Sequence, residues 1–149
     1  MTILDRAGIA ARIPHAGNMC LLDGVLAWTP EAISCHAGSH RDPANPLRGA
    51  DGLDILNGIE YAAQAMAIHG ALRAGTDEAP RAGFLTSVRE VECLASRLDD
   101  IPGALRVYAE CLSDSGNHLM YSFRIETEGR PLLWGRASVM LDAAARQHA

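Results

Sequence analysis

Asn57-Gly58-Ile59-Glu60-Tyr61-Ala62-Ala63-Gln64-Ala65-Met66-Ala67-Ile68-His69-Gly70-Ala71-Leu72-Arg73-Ala74 is the stretch on which the fold turns. The spacing predicts a helix in which Ile59, Ala62, Ala63, Met66, Ala67, Ala71 and Leu72 cover most of the circumference, with Gly75 ending it. A helix apolar nearly all round is surrounded by protein. Downstream, residues 83–98, 104–113, 118–127 and 132–141 read as strands. Leu105, Val107, Ala109, Cys111 and Leu119, Tyr121, Phe123, Ile125 alternate with a period of two. Asp99-Asp100-Ile101-Pro102-Gly103, Asp114-Ser115-Gly116-Asn117 and Glu128-Gly129-Arg130-Pro131 separate them with turn chemistry. Upstream, residues 19–28 and 31–39 form two more strands about Thr29-Pro30. From Arg41 to Gly52 the chain is loop, rich in Pro, Gly and Asx.

Strands, one buried helix, then four strands are most simply arranged as an antiparallel sheet wrapped around one long central helix. This is an α+β chain of the hot-dog fold, with residues 1–149 as one domain. One open sheet leaves edges and an outer face, so a homodimer or higher homo-oligomer is expected.

Composition narrows the function. Apolar residues make up 48% of the 149 and charged residues 21%, which excludes a disordered chain. Thirteen basic residues, all Arg, face eighteen acidic ones, for a net charge of −5. Scattered Arg on a mildly acidic protein excludes the positive stripe that nucleic-acid binding needs. Cys20, Cys35, Cys93 and Cys111 show neither a CxxC pair nor zinc spacing, and read as reduced, mostly buried thiols. The run Tyr61–Leu72 is about half the length of a membrane span, and no signal peptide is recognisable. The expectation is a cytoplasmic protein with no membrane partner.

Two features carry chemistry. Glu60 stands in the opening turn of the apolar helix, with Gln64 one turn on along the same stripe. Asn57-Gly58-Ile59-Glu60 also has capping-box form, so Glu60 reads either as a cap or as a site residue. Capping leaves Gln64 unexplained. His40 lies where the second strand meets the long loop, a position suited to acid–base work and equally to an ordinary surface histidine. His36 and His40 would be about 13 Å apart along a strand, which disfavours a metal pair. His69 is expected as a partner of the helix C-terminal dipole, His118 as a surface residue and His15 as structural.

Ile13-Pro14-His15-Ala16-Gly17-Asn18-Met19-Cys20-Leu21-Leu22-Asp23-Gly24-Val25-Leu26 resembles the opening motif of the β-hydroxyacyl-acyl-carrier-protein dehydratases. Ile59-Glu60-Tyr61-Ala62-Ala63-Gln64-Ala65 resembles their Glu/Gln helix, and His40 falls where they carry a histidine. His40-Arg41-Asp42-Pro43-Ala44-Asn45-Pro46-Leu47 together with that helix is similar to the dehydratase-like branch of aryl-polyene and pigment biosynthesis. Two departures stand out. Arg41-Asp42 replaces a Phe-Pro, and the Pro-Gly that precedes the family's helix has no counterpart near Asp54-Ile55.

The resemblance implies removal of water from a 3-hydroxyacyl thioester borne on the phosphopantetheine arm of an acyl carrier protein. It makes His40 the base, and Glu60, in an apolar pocket, the group that assists loss of the hydroxyl. Gln64 would orient Glu60, and free N–H groups near Gly58 would face the thioester oxygen; Asn45 and Pro46 would line the substrate site. Histidine and glutamate would come from different subunits, and neither metal nor redox cofactor is implied. Two alternatives remain open: an acyl-thioester hydrolase that uses Glu60 alone, and a non-catalytic subunit of a hetero-oligomer with a related dehydratase.

Overall fold

Leu119, Tyr121, Phe123, Ile125 and Thr127 turn inward from one strand and are buried, while the residues between them face outward. That alternation, repeated along the sheet, makes the concave surface on which the long helix rests. The computed structural model describes residues 2–13, 19–75 and 83–141. In chain order its elements are β1 (Leu4–Asp5), α1 (Arg6–Ala10), β2 (Gly24–Trp28), β3 (Ala32–Ala37), α2 (Gly58–Ala74), β4 (Gly83–Cys93), β5 (Leu105–Asp114), β6 (His118–Thr127) and β7 (Arg130–Leu141). The strands form one seven-stranded antiparallel sheet in the order β1-β2-β3-β5-β6-β7-β4. This is the expected hot-dog arrangement, with α2 packed across β3, β5 and β6.

The local chemistry explains the joints. Glu128 and Gly129 both have positive φ, 50° and 77°, the type I′ geometry that matches strand twist in a two-residue hairpin. β4 lies at one edge beside β7, and its other side pairs with no strand among the described residues. The short β1 and α1, the latter capped by Asp5 through a 2.9 Å bond from Gly8 N–H, lack a periodic signal in the sequence. The segment before Gly24, expected to start a strand, is irregular. Residues 14–18 of the opening motif, His15 among them, and the tail from residue 142 lie outside the described residues. No helix among the described residues is long and apolar enough to cross a membrane.

The helix is less enclosed than its composition suggests. Tyr61, Ala62, Ala65, Met66, Ile68 and His69 are buried, but Glu60, Ala67 and Gly70 form an exposed line along one side.

Candidate active site

His40 sits in a 3₁₀ turn, Ser39–Arg41, that begins just beyond β3. Three side chains hold the turn. Asn45 Nδ2 donates to the Ser39 carbonyl at 2.9 Å and to the Tyr61 hydroxyl at 3.1 Å. Ser39 Oγ donates to the Leu21 carbonyl at 2.7 Å, so the Tyr61 hydroxyl must donate to Ser39 Oγ at 2.8 Å. Asp23 adds a 2.7 Å bond from Gly38 N–H. Asn45 Oδ1 meanwhile accepts from Leu47 N–H at 2.8 Å, fixing the start of the loop.

His40 itself is 0% exposed. Its Nε2 lies 3.0 Å from the Ile101 carbonyl oxygen. A carbonyl only accepts, so the proton is on Nε2 and Nδ1 carries a lone pair. That lone pair is buried and meets no donor among the described residues. Burial pushes the imidazole below its ordinary pKa, against the opposing pull of the Ile101 and Gly103 backbone groups. The ring is therefore a neutral base at neutral pH, and not a surface histidine.

A second loop covers it. Asp99 accepts from Leu53 N–H and from Arg97 Nε, each at 2.9 Å, also pairs with Arg97 Nη2, and has Arg48 Nη1 3.6 Å away. The Arg97 guanidinium holds the Asp99 carboxyl well below the usual carboxylate range. Leu98 N–H donates to the Leu53 carbonyl at 2.8 Å, and Arg41 Nη1 to the Pro102 carbonyl at 3.0 Å. Residues 97–103 and 48–54 are thus clasped together, and the first of these segments meets His40 through Ile101. Nothing in the sequence singles out Asp99 from the other turn aspartates.

The start of α2 departs from expectation. Asp54, not Asn57, is the capping residue: its Oδ1 accepts from Leu56 N–H at 2.8 Å and opens a 3₁₀ turn, Ile55–Asn57, that runs straight into the helix. Asn57 is helical and its side chain caps nothing. Ile55 N–H donates to the Ser96 carbonyl and Asn57 N–H to the Asp54 carbonyl, while Gly58 N–H is directed at Ile55 and Leu56. The free N–H groups expected near Gly58 are therefore taken. Gly58 instead lets the helix approach β7, since a Cβ there would lie 2.6 Å from Leu133 Cδ2.

Glu60 is exposed, and no hydrogen bond or ion pair involves it among the described residues. It is neither a cap nor a group in an apolar pocket of this chain. Gln64 does not orient it: the Gln64 amide is buried, accepts from Leu21 N–H at 2.9 Å and donates to the Met19 carbonyl at 2.8 Å. It ties the irregular segment ahead of β2 to the helix. Pro46 is exposed on the loop. A single chain thus joins His40, Ser39, Asn45 and Tyr61 in one cluster and leaves Glu60 facing outward.

His69, expected at the helix dipole, is a core residue. Its Nε2 donates to the Thr29 carbonyl and its Nδ1 accepts from the Tyr121 hydroxyl, both at 2.8 Å. Burial pushes His69 down and Tyr121 up, the latter to about 12.

Comparison with known proteins is consistent in fold. The family model described as ApeP-like, ApeP dehydratase, matches residues 7–148. The dehydratase heterocomplex ApeI:P from Xenorhabdus doucetiae is similar at 23% identity over 94% of each chain, with a TM-score of 0.79. A hypothetical thioesterase with coenzyme A from Streptococcus pneumoniae is similar at 12% identity over 79% of this chain and 84% of that one, TM-score 0.56. A thioesterase from Haemophilus influenzae is similar at 14% identity over 80% and 77%, TM-score 0.54. No curated protein sequence matches the chain. At these identities the structural likenesses are likenesses of fold.

Proposed function

The chain belongs to the ApeP-like dehydratase family, and on that basis we propose that it serves the elimination of water from a 3-hydroxyacyl thioester. The substrate is carried on the phosphopantetheine arm of an acyl carrier protein, and the product is the trans-2-enoyl thioester of an aryl-polyene type of synthesis. His40 Nδ1 takes the α-proton, the carbon–oxygen bond at the β-carbon breaks, and Glu60 gives its proton to the departing hydroxyl. The proton gained by the imidazole returns to the carboxylate before the next turnover.

The observation that carries this is the lone pair on His40 Nδ1. A buried polar atom without a partner costs stability, whereas a base awaiting a substrate proton has to be bare. The hydrolase alternative gives His40 no task. His40 is enclosed and Glu60 faces outward in the same chain, which supports the reading that the pair is completed across subunits. The unpaired edge of β4 supplies the place for a second subunit, identical or related. The heteromeric alternative draws on the same separation.

Incubating the protein, alone and with a related dehydratase subunit, with a 3-hydroxyacyl carrier-protein thioester tests the reading. An enoyl product is expected, and His40→Ala should lower turnover by about two to four orders of magnitude with the fold intact. Release of free thiol would identify a hydrolase. Full activity of a complex containing His40→Ala would make this chain the non-catalytic subunit.

A further inference from the structure

Tyr61 and Gln64 lie on α2 within one turn of each other, and both are buried. Each grips Leu21 from the helix side. Gln64 Oε1 accepts from Leu21 N–H at 2.9 Å. Tyr61 reaches the Leu21 carbonyl through one intermediary. Its hydroxyl donates to Ser39 Oγ at 2.8 Å, and Ser39 Oγ donates to that carbonyl at 2.7 Å. Asn45 Nδ2 donates to the Tyr61 oxygen at 3.1 Å. The chain of hydrogen bonds therefore has one direction, from Asn45 through Tyr61 and Ser39 to Leu21, and neither hydroxyl is free to turn.

This chain backs one residue. Ser39 immediately precedes His40 in the 3₁₀ turn, and Asn45 also donates to the Ser39 carbonyl at 2.9 Å. The loop after β4 holds the same turn through Ile101 and Pro102, which accept from His40 and Arg41. Every side-chain polar atom of Ser39, Asn45 and Tyr61 is engaged. On that turn the buried side-chain atom left without a partner among the described residues is His40 Nδ1. Apolar side chains of similar volume would pack here without burying three polar groups. A buried network with all its members satisfied fixes geometry, and what this one fixes is the backbone from which the imidazole projects.

We infer that Tyr61 is a positioning residue of the reaction: through Ser39 it holds the turn that carries His40 against the helix that carries Glu60. The inference rests on the reading of His40 as the base. It also gives Gln64 a task, since Gln64 anchors the Leu21 segment to which Ser39 is tied.

Tyr61→Phe in the assembled protein, with any related dehydratase subunit present, tests it. The kcat for dehydration should fall about ten- to a hundredfold while KM stays within about twofold, because a displaced base loses rate without losing binding. Ser39→Ala breaks the same chain at its next link and should give a similar loss. The double variant should lose little more than either alone, since one chain is removed in each case. Nitrogen NMR shifts of the His40 imidazole read the ring without turnover. They should report Nε2–H in the parent protein and a mixture of tautomers in Tyr61→Phe, because the Ile101 bond slackens with the turn. Should Tyr61→Phe fail to fold, Ser39→Ala carries the same readings. A Tyr61→Phe protein that melts earlier but keeps both kcat and tautomer overturns the inference, and so do losses that multiply in the double variant. Unchanged turnover in His40→Ala would sink the base reading instead, and the imidazole shifts would still decide whether Tyr61 sets the ring.

Discussion

The Nε2–H of His40 donates to the carbonyl oxygen of Ile101 at 3.0 Å, across a separation of 61 residues. This one bond fixes the tautomer, aims the ring and ties the loop after β4 to the turn after β3. The base proposed for the reaction is therefore set by a backbone group. Among the described residues no carboxylate orients it, and the nearby acid Asp23 is occupied by Gly38 N–H and Arg6.

Burial holds both His40 and His69 below the ordinary imidazole value. As pH falls through about 6.5, the unfolded chain takes up protons that the folded one refuses. Their contribution to stability is complete above that value and declines as pH drops toward the lower folded values. The urea midpoint should therefore fall between about pH 7 and pH 5. Asp99 and Asp114, held low by Arg97 and by Gly116 N–H respectively, add their own loss only below about pH 4. An unchanged midpoint across the higher window would contradict the buried neutral state of both rings.

Glu60→Gln separates the cap from the site. Losing a true cap costs about 0.5–2 kcal/mol, but Glu60 caps nothing, so thermal unfolding should move by less than about 0.5 kcal/mol. Dehydration should fall by about a hundredfold or more. A destabilised protein with normal turnover would reverse the assignment.

Gly58→Ala should cost about 1–3 kcal/mol through overpacking against Leu133. In a Leu133→Ala background the same change should cost measurably less, because the opposing methyl is gone. Denaturant midpoints of the four proteins in that cycle give the coupling directly.

Gln64→Leu strips partners from Leu21 N–H, which is buried, and from the carbonyl of the exposed Met19. The expected loss is about 1–3 kcal/mol, most of it from Leu21. Amide exchange at Leu21 should quicken beyond what global unfolding explains. Slow exchange there would mean that the segment ahead of β2 is held by other contacts.

Period and punctuation by themselves specified the architecture. The alternation in Leu105–Cys111 and Leu119–Ile125, the turn residues between the strands and the apolar circumference of residues 58–74 are local properties that reach the page one residue at a time. They sufficed for the sheet and the central helix. What Glu60 and Gln64 do was not local. Glu60 has the spacing of a capping box, but Asp54, reached through a 3₁₀ turn, took the cap. Gln64, one turn on, is buried where Glu60 is exposed, and spends its amide on Met19 and Leu21, residues more than 40 positions away. His40 likewise became a buried imidazole because the carbonyl of Ile101, 61 residues away, meets its ring. Hydrogen-bond partners and burial are set by which backbone groups arrive in the same place, and only the folded chain decides that.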